Sequence, residues 1–315
     1  MVERSQLSNW RHYSGLVFGI LCVSTASIII RFSQEEASSL IIAAYRLTIS
    51  SLILGVIILI KGPRLLKTFD RRKIWLSFLS GLFLALHFAS WITSLEYTTV
   101  ASSVVLVTTT PLWVAIMSPF ILKEPLRKNI MVGLALAMMG GGVVGLSDIC
   151  QFQNSAIECL SISSIFTGRA LLGDGLALFG AFMAAGYMII GRKLRSTTDT
   201  LPYTFIVYGI AAVIIDVVVI IKGENLFDYS NITFAWFIVL ALIPQLMGHS
   251  VFNWALRFLP ASVVSIALLG EPIGSILLAY IVLDETPMNI ELGGAMLILL
   301  GIVIASLKKR QPNAV

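Results

Sequence analysis

Gln245, His249 and Asn253 lie four residues apart in a mostly apolar stretch, so on a helix they form one polar stripe. His87 and Trp91 repeat that spacing earlier in the chain, with Ser90 and Ser94 close to the same face. A carboxylate, Glu271, stands in the otherwise apolar or small run from Ala261 to Leu283 and is followed at once by Pro272. Groups of these kinds can hydrogen-bond a polar solute, exchange a proton, or hold an ammonium. Histidine titrates near neutral pH, but a lone buried histidine is equally explained by an ordinary hydrogen bond.

Glu271 is expected to face protein or water, because an ionisable group in the middle of an apolar span costs about 2.5–3.5 kcal/mol on insertion scales. Steps of three and four from it give Ala267, Gly274 and Ser275, a small-residue face expected to leave room beside the carboxylate. Pro272 has no N–H and clashes with the carbonyl of Leu268, which predicts a kink there. Glu271 then either carries a proton between two access states, holds a substrate ammonium, or pairs structurally with a neighbour such as Arg46. Thr108, Thr109 and Thr110 precede a second mid-span proline, Pro111, and their hydroxyls are expected on carbonyls of their own helix. Tyr45, Thr109, Trp113 and Tyr187 are weaker candidates for the wall of a solute path, since packing or lipid contact explains each alone. Arg46 can reach the headgroups or bind a carboxylate. Asp216 receives no role.

The elements that must position these residues are membrane spans. Hydrophobic residues make up 57% of the 315 and charged ones 12%, with a mean hydropathy of +0.91, far from the balance of a soluble domain. Apolar runs long enough for a bilayer core, roughly 20 residues each, predict ten spans: 14–31, 38–60, 74–94, 99–122, 129–147, 170–191, 202–221, 233–255, 260–283 and 289–307. The longest remainder, about 148–169, has no strong period and reads as a loop. With the N-terminus inside, most Lys and Arg fall on the inner segments and only Arg31, Arg169 and Lys222 on the outer ones. The net charge of +5 is thus a topology signal with attraction to anionic membrane lipid, not a nucleic-acid footprint, and both termini are predicted cytoplasmic. The competing reading of the N-terminus is a cleaved signal peptide ending near Ser24-Thr25-Ala26.

A constant shift of 161 positions aligns the two halves without a gap, placing Gly19 on Gly180, Trp75 on Trp236, Pro111 on Pro272, Glu124 on Glu285 and Gly140 on Gly301. Five spans per half is an odd number, so matched residues fall on opposite sides of the membrane, as in transporters built from inverted repeats around a midplane site. The segments "LEYTTVASSVVLVTTTPLWVAIMSPFILKEPLRKNIMVGLALAMMGGGVVGL" (95–146) and "LRFLPASVVSIALLGEPIGSILLAYIVLDETPMNIELGGAMLILLGIVIASL" (256–307) resemble the two copies of the EamA domain of the drug/metabolite transporter superfamily. The resemblance covers nearly the whole chain. It implies an all-α membrane protein of ten helices in two inverted five-helix repeats, 14–147 and 170–307, joined by an extracytoplasmic loop, 148–169. It also implies alternating access and, for many bacterial members, export across the inner membrane. It leaves the substrate open. One departure matters: "TTTP" stands in the first half where the second has "LGEP", so Glu271 has no counterpart.

Cys150 and Cys159 both fall in the connecting loop, where a disulfide is plausible, whereas Cys22 lies in the first span. The glycines of the fifth span (Gly133, Gly140, Gly141, Gly142, Gly145) and the tenth (Gly293, Gly294, Gly301) predict close helix packing, with a homodimer as one option. No zinc spacing, GxSxG elbow or phosphate-binding loop is present, so no metal, cofactor or direct use of ATP is expected. The sequence therefore predicts a secondary transporter of small metabolites such as amino acids or amines, with proton coupling as an option. The alternatives are an intramembrane enzyme acting on lipid or peptide, and a membrane receptor.

Overall fold

A computed structural model describes residues 2–98, 103, 106–147, 150–153, 156–159, 169–283 and 289–307. Helices α1 (Val2–Ser24), α2 (Ala26–Ser33), α3 (Ser39–Lys61), α4 (Arg71–Tyr97), α5 (Thr110–Ile121) and α6 (Lys128–Ser147) lead to a hairpin of β1 (Cys150–Gln153) and β2 (Ala156–Cys159). There follow α7 (Arg169–Arg195), α8 (Thr200–Lys222) and α9 (Asn231–Leu240), a π-helical stretch over Ala241–His249, then α10 (Ser250–Ala255), α11 (Ala261–Leu268), α12 (Glu271–Leu283) and α13 (Asn289–Ser306).

Local chemistry sets the ends. The Ser38 and Asp70 side chains accept from the backbone N–H groups of Ile41 and Lys73 and so cap α3 and α4. Gly62 and Gly223 end α3 and α8 at φ 109° and 68°, values a side chain would resist.

Among the described residues six helices are long and apolar enough to cross a membrane: His12–Ser33, Ser39–Lys61, Arg71–Tyr97, Leu171–Arg195, Thr200–Lys222 and Asn231–Ala255. Four shorter apolar helices, Thr110–Ile121, Lys128–Val143, Ala261–Ser275 and Leu292–Ala305, coincide with parts of the other expected spans. The first part of the expected 99–122 span lies largely outside the described residues. The exterior is apolar, as lipid requires, with Leu59, Ile60, Ile220 and Ile221 exposed, and the mostly apolar interior buries a smaller set of polar side chains, Arg46, Gln245 and Asn253 among them.

Pro111 and Pro272 do not kink continuous helices. Each is the second residue of a new helix, α5 or α12, where the missing N–H costs nothing. Ahead of α12 the ladder tightens, with Leu269 and Gly270 donating to Ile266 and Ala267, three residues back. The connecting segment, expected to be a loop, contains the antiparallel hairpin, whose register sets Cys150 opposite Cys159. Their side chains lie outside the described residues.

Helix α3 packs on α8 and α6 on α13, while α4 packs on α7 and α1 on the π-helical stretch. The bounds of α3 and α8 differ by 161 residues at both ends. At the α6–α13 contact, Gly133 lies against the carbonyl of Gly301 and Gly140 against that of Gly294. These four glycines are occupied by the chain's own packing, whereas Gly141, Gly142 and Gly293 have nothing within 4 Å of a would-be Cβ.

Candidate functional site

A cavity of about 70 Å³ lies where α1, α3, α4, α7, the π-helical stretch, α10 and the α11–α12 break converge. Six of the predicted site side chains, Glu271, His249, Asn253, His87, Trp91 and Tyr187, line it together with Pro111. Four others, Gln245, Tyr45, Thr109 and Trp113, do not, and neither does Pro272. Arg46 does, and it is the residue whose place the sequence left most open.

Arg46 is 0% exposed and so does not snorkel to the headgroups. Its Nε donates to Gln245 Oε1 at 2.7 Å, and its guanidinium carbon sits 4.3 Å from the centre of the Phe88 ring. Among the described residues Nη1 and Nη2 have no hydrogen-bond partner, and neither does Nε2 of Gln245. No ion pair joins Arg46 to Glu271 among the described residues. Leaving a buried donor unpaired costs roughly 1–3 kcal/mol, more for a charged group.

Gln245 reaches Arg46 because the α9–α10 helix widens into π turns around Pro244. The widening relieves the clash that Pro244 would make with the carbonyl four residues back. The polar stripe is thereby divided: Gln245 fixes the arginine, while His249 and Asn253 reach the cavity. Asn253 Nδ2 donates to the hydroxyl of Tyr187 at 2.5 Å and to the carbonyl of His249 at 3.0 Å.

His87 is held by α7. Its Nδ1 lies 2.9 Å from the carbonyl of Gly180 and must donate to it, since a carbonyl only accepts. Its ring stacks with Trp91 at 5.9 Å and 8°. Thr109 and Thr110 donate to Leu106 and Val107 at 2.6 and 2.8 Å, the local bonds expected of them, and Thr108 and Thr110 rather than Thr109 face the cavity. Trp113 meets Phe182 edge-on at 5.4 Å.

Glu271 is the first residue of α12, at a helix end that favours negative charge. The small-residue face beside it is filled rather than open. Ser24 donates to the backbone carbonyl of Glu271 at 3.0 Å, and Ser275 donates to that of Ser24 at 3.1 Å. Asp216 accepts from Thr48 at 2.9 Å and ties α8 to α3.

Two sets of contacts lie near opposite ends of α8. Beside the start of α9, Glu36 accepts from Ser230 N and the Thr233 hydroxyl, both at 2.9 Å. There too Ser38 donates to Glu224, and Tyr45 donates to the carbonyl of Leu226 at 2.5 Å while stacking on Phe237. Tyr45 thus belongs to this cluster and not to the cavity wall. At the other end, Arg192 pairs with Glu124 at 2.6 Å and donates to the carbonyl of Leu256 at 2.7 Å, and Ala261 N donates to Glu124 at 3.2 Å. Sequence reasoning missed Glu36, Glu124 and Arg192; the one signal is that each is charged and flanks an apolar run.

A helical shell with an apolar exterior, around a small cavity whose mostly apolar wall carries Arg46, His87, His249, Asn253 and Glu271, is the construction of a membrane transport protein. The profile of the EamA-like transporter family matches residues 11–146 and again 171–307, and the chain belongs to that family. Among curated proteins, the uncharacterized transporter YetK of Bacillus subtilis (strain 168) is 23% identical over 307 residues, covering 96% of this chain and 88% of that protein. An uncharacterized transporter of Archaeoglobus fulgidus is 20% identical over 297 residues, 94% of this chain and 97% of that one. A solved protein crystal structure matches with a TM-score of 0.72 at 17% identity, over 93% of this chain and 96% of that one, a likeness of fold alone. The chain is a multi-pass membrane transporter, and these findings point to transport rather than catalysis.

Proposed function

We propose that the chain is a secondary transporter that exports a small metabolite, such as an amino acid or an amine, by exposing the cavity alternately to the two sides of the membrane. The observation that carries this reading is the convergence of Glu271, His249, Asn253, His87 and Tyr187 on one cavity, with polar ties near both ends of α8. Ten helices in two inverted units, 14–147 and 170–307, are supported by the 161-residue register and by its recurrence in the α3 and α8 bounds. Matched helices also pack on each other, α3 on α8 and α6 on α13, as a two-fold axis in the membrane plane requires. The Lys and Arg bias supports cytoplasmic termini, and a bacterial inner membrane is the location this reading assigns.

In this reading Glu271 is the coupling or cation-binding group, and Arg46, His87, His249 and Tyr187 are the other chargeable side chains around the cavity. The test begins with a thermal-shift screen of amino acids, amines, nucleosides and organic acids. A ligand at 100 times its Kd adds about 2.7 kcal/mol to the folded state. The strongest stabiliser is then followed in proteoliposomes across a pH gradient. Glu271→Gln is expected to remove the pH dependence of transport and leave the unfolding temperature without ligand close to that of the wild type. Unchanged pH dependence would reject the coupling role, and absence of transport for every stabilising solute would reject the transporter mechanism.

A further inference from the structure

Arg46 is over-determined in position and under-used in hydrogen bonding. Gln245 holds Nε, Phe88 packs on the guanidinium, and Ser50 bonds the arginine's own carbonyl at 2.6 Å. What remains are the two terminal nitrogens, Nη1 and Nη2, both buried and both without a hydrogen-bond partner among the described residues. They form the edge of the guanidinium opposite the bond to Gln245, and the residue lines the cavity.

Several occupants of that edge can be set aside on geometry and charge. Headgroups are out of reach of a side chain that is 0% exposed. Glu271 shares the cavity but forms no ion pair with Arg46. A phosphate would bring close to a double negative charge into a small cavity that already holds a carboxylate. The planar fork of two N–H groups matches the two oxygens of a carboxylate, which it binds side by side and at short range.

We propose that Arg46 is the docking group for a carboxylate carried by the transported molecule, presented through Nη1 and Nη2 and held in place by Gln245 and Phe88. The inference rests on the reading that this cavity is the transport site, and it names the chemistry recognised there. Gln245 and Phe88 are positioning residues: one fixes the rotation of the fork, the other its plane. A carboxylate borne on the same molecule as an ammonium suits the cavity better than a bare acid, because Glu271 would repel a second negative charge and attract the amine. The cavity, of about 70 Å³, is well below the roughly 300–1,000 Å³ of a small-molecule site, so the walls must part to admit the transported molecule.

The test uses a size-matched series on the full-length protein in detergent: alanine, propionate, propylamine and propionamide, read by thermal unfolding and titration calorimetry. Alanine and propionate are expected to bind, alanine more tightly, and the amine and amide to bind at least about 30-fold more weakly. That factor is the low end of what truncating one partner of a buried charge pair costs. Arg46→Gln is expected to weaken alanine by a similar factor and Arg46→Lys by less, since an ammonium keeps the charge and loses the fork. Because Arg46→Gln can also disturb folding, Gln245→Glu serves as the second variant. It supplies an internal carboxylate to the guanidinium, should keep the protein folded, and should abolish binding of both carboxylates.

Equal binding of propionamide, full carboxylate binding in Arg46→Gln or Gln245→Glu, or no binding of either carboxylate would each overturn the proposal. Solute counterflow in proteoliposomes separates it from the transporter reading. Transport of the amine or amide alone would remove the carboxylate anchor and leave a transporter; carboxylate-selective binding without transport of any member would do the reverse.

Discussion

At the scale of single residues, Glu36 carries a prediction of its own. Bonds from Ser230 N–H, then from the Thr233 and Ser230 hydroxyls, hold its carboxyl below the ordinary value. A carboxyl depressed in the folded state contributes stability above its unfolded pKa, about 4.3 for glutamate, and loses it as pH falls through the folded value. Thermal unfolding scans should therefore show the wild type losing more stability than Glu36→Gln between about pH 5 and pH 3. Parallel acid slopes would show that this tie contributes nothing to the folded state. Glu271, His249 and Asn253 were legible in the sequence because polar side chains in apolar runs must face protein or water. Arg46 was equally visible, but its direction was not. Tyr45, Thr48 and Ser51 put polar groups on other faces of α3 as well, and packing against α8 and the π-helical stretch decides which face turns inward.

At the scale of elements, apolar length marked where helices run and missed how they are interrupted. The breaks before Glu271 and after Ser24, and the π turns around Pro244, depend on which carbonyls find partners across the bundle, and no local pattern states that. Proline gave the right place and the wrong form: a helix start at Pro111 and Pro272 in place of a kink. The glycines were more informative, and α6 provides a sharp contrast within two adjacent positions. A Cβ on Gly140 would sit 2.6 Å from the carbonyl of Gly294 and 2.8 Å from the backbone nitrogen of Ile298, neither of which can move without shifting α13. A Cβ on Gly141 would meet nothing within 4 Å. Gly140→Ala is thus expected to destabilise by about 1–3 kcal/mol, the usual cost of overpacking. Gly141→Ala should be neutral or stabilising by up to about 1 kcal/mol, the helix-propensity difference. Unfolding in detergent at matched lipid content measures both, and equal effects at the two positions would mean that α6 and α13 do not approach this closely.

At the scale of the whole molecule, the 161-residue register was readable from sequence because the matched glycines, prolines and tryptophans keep one spacing from end to end. The Glu36 and Glu124–Arg192 contacts were not, because they join segments that the register does not place side by side. Their arrangement argues for two gates acting in opposition. Glu124 and Arg192, each with a side chain 22% exposed, bridge one end, and Glu36 bridges the other through Ser230 and Thr233. If access alternates, loosening one end must favour the state open on that side alone. A partly exposed ion pair is worth about 1 kcal/mol, enough to change a two-state ratio about fivefold. Ala184 lines the cavity, so Ala184→Cys, with the native cysteines replaced, reports its exposure to a membrane-impermeant maleimide. Right-side-out and inside-out vesicles then address the two faces separately. Glu124→Gln should raise labelling about fivefold from the Arg192 face and Glu36→Gln from the opposite face, each lowering or leaving unchanged the rate from the other. A variant that opens both faces together, or neither, would mean that these contacts hold the fold rather than gate the cavity, and the alternating mechanism would lose its structural support.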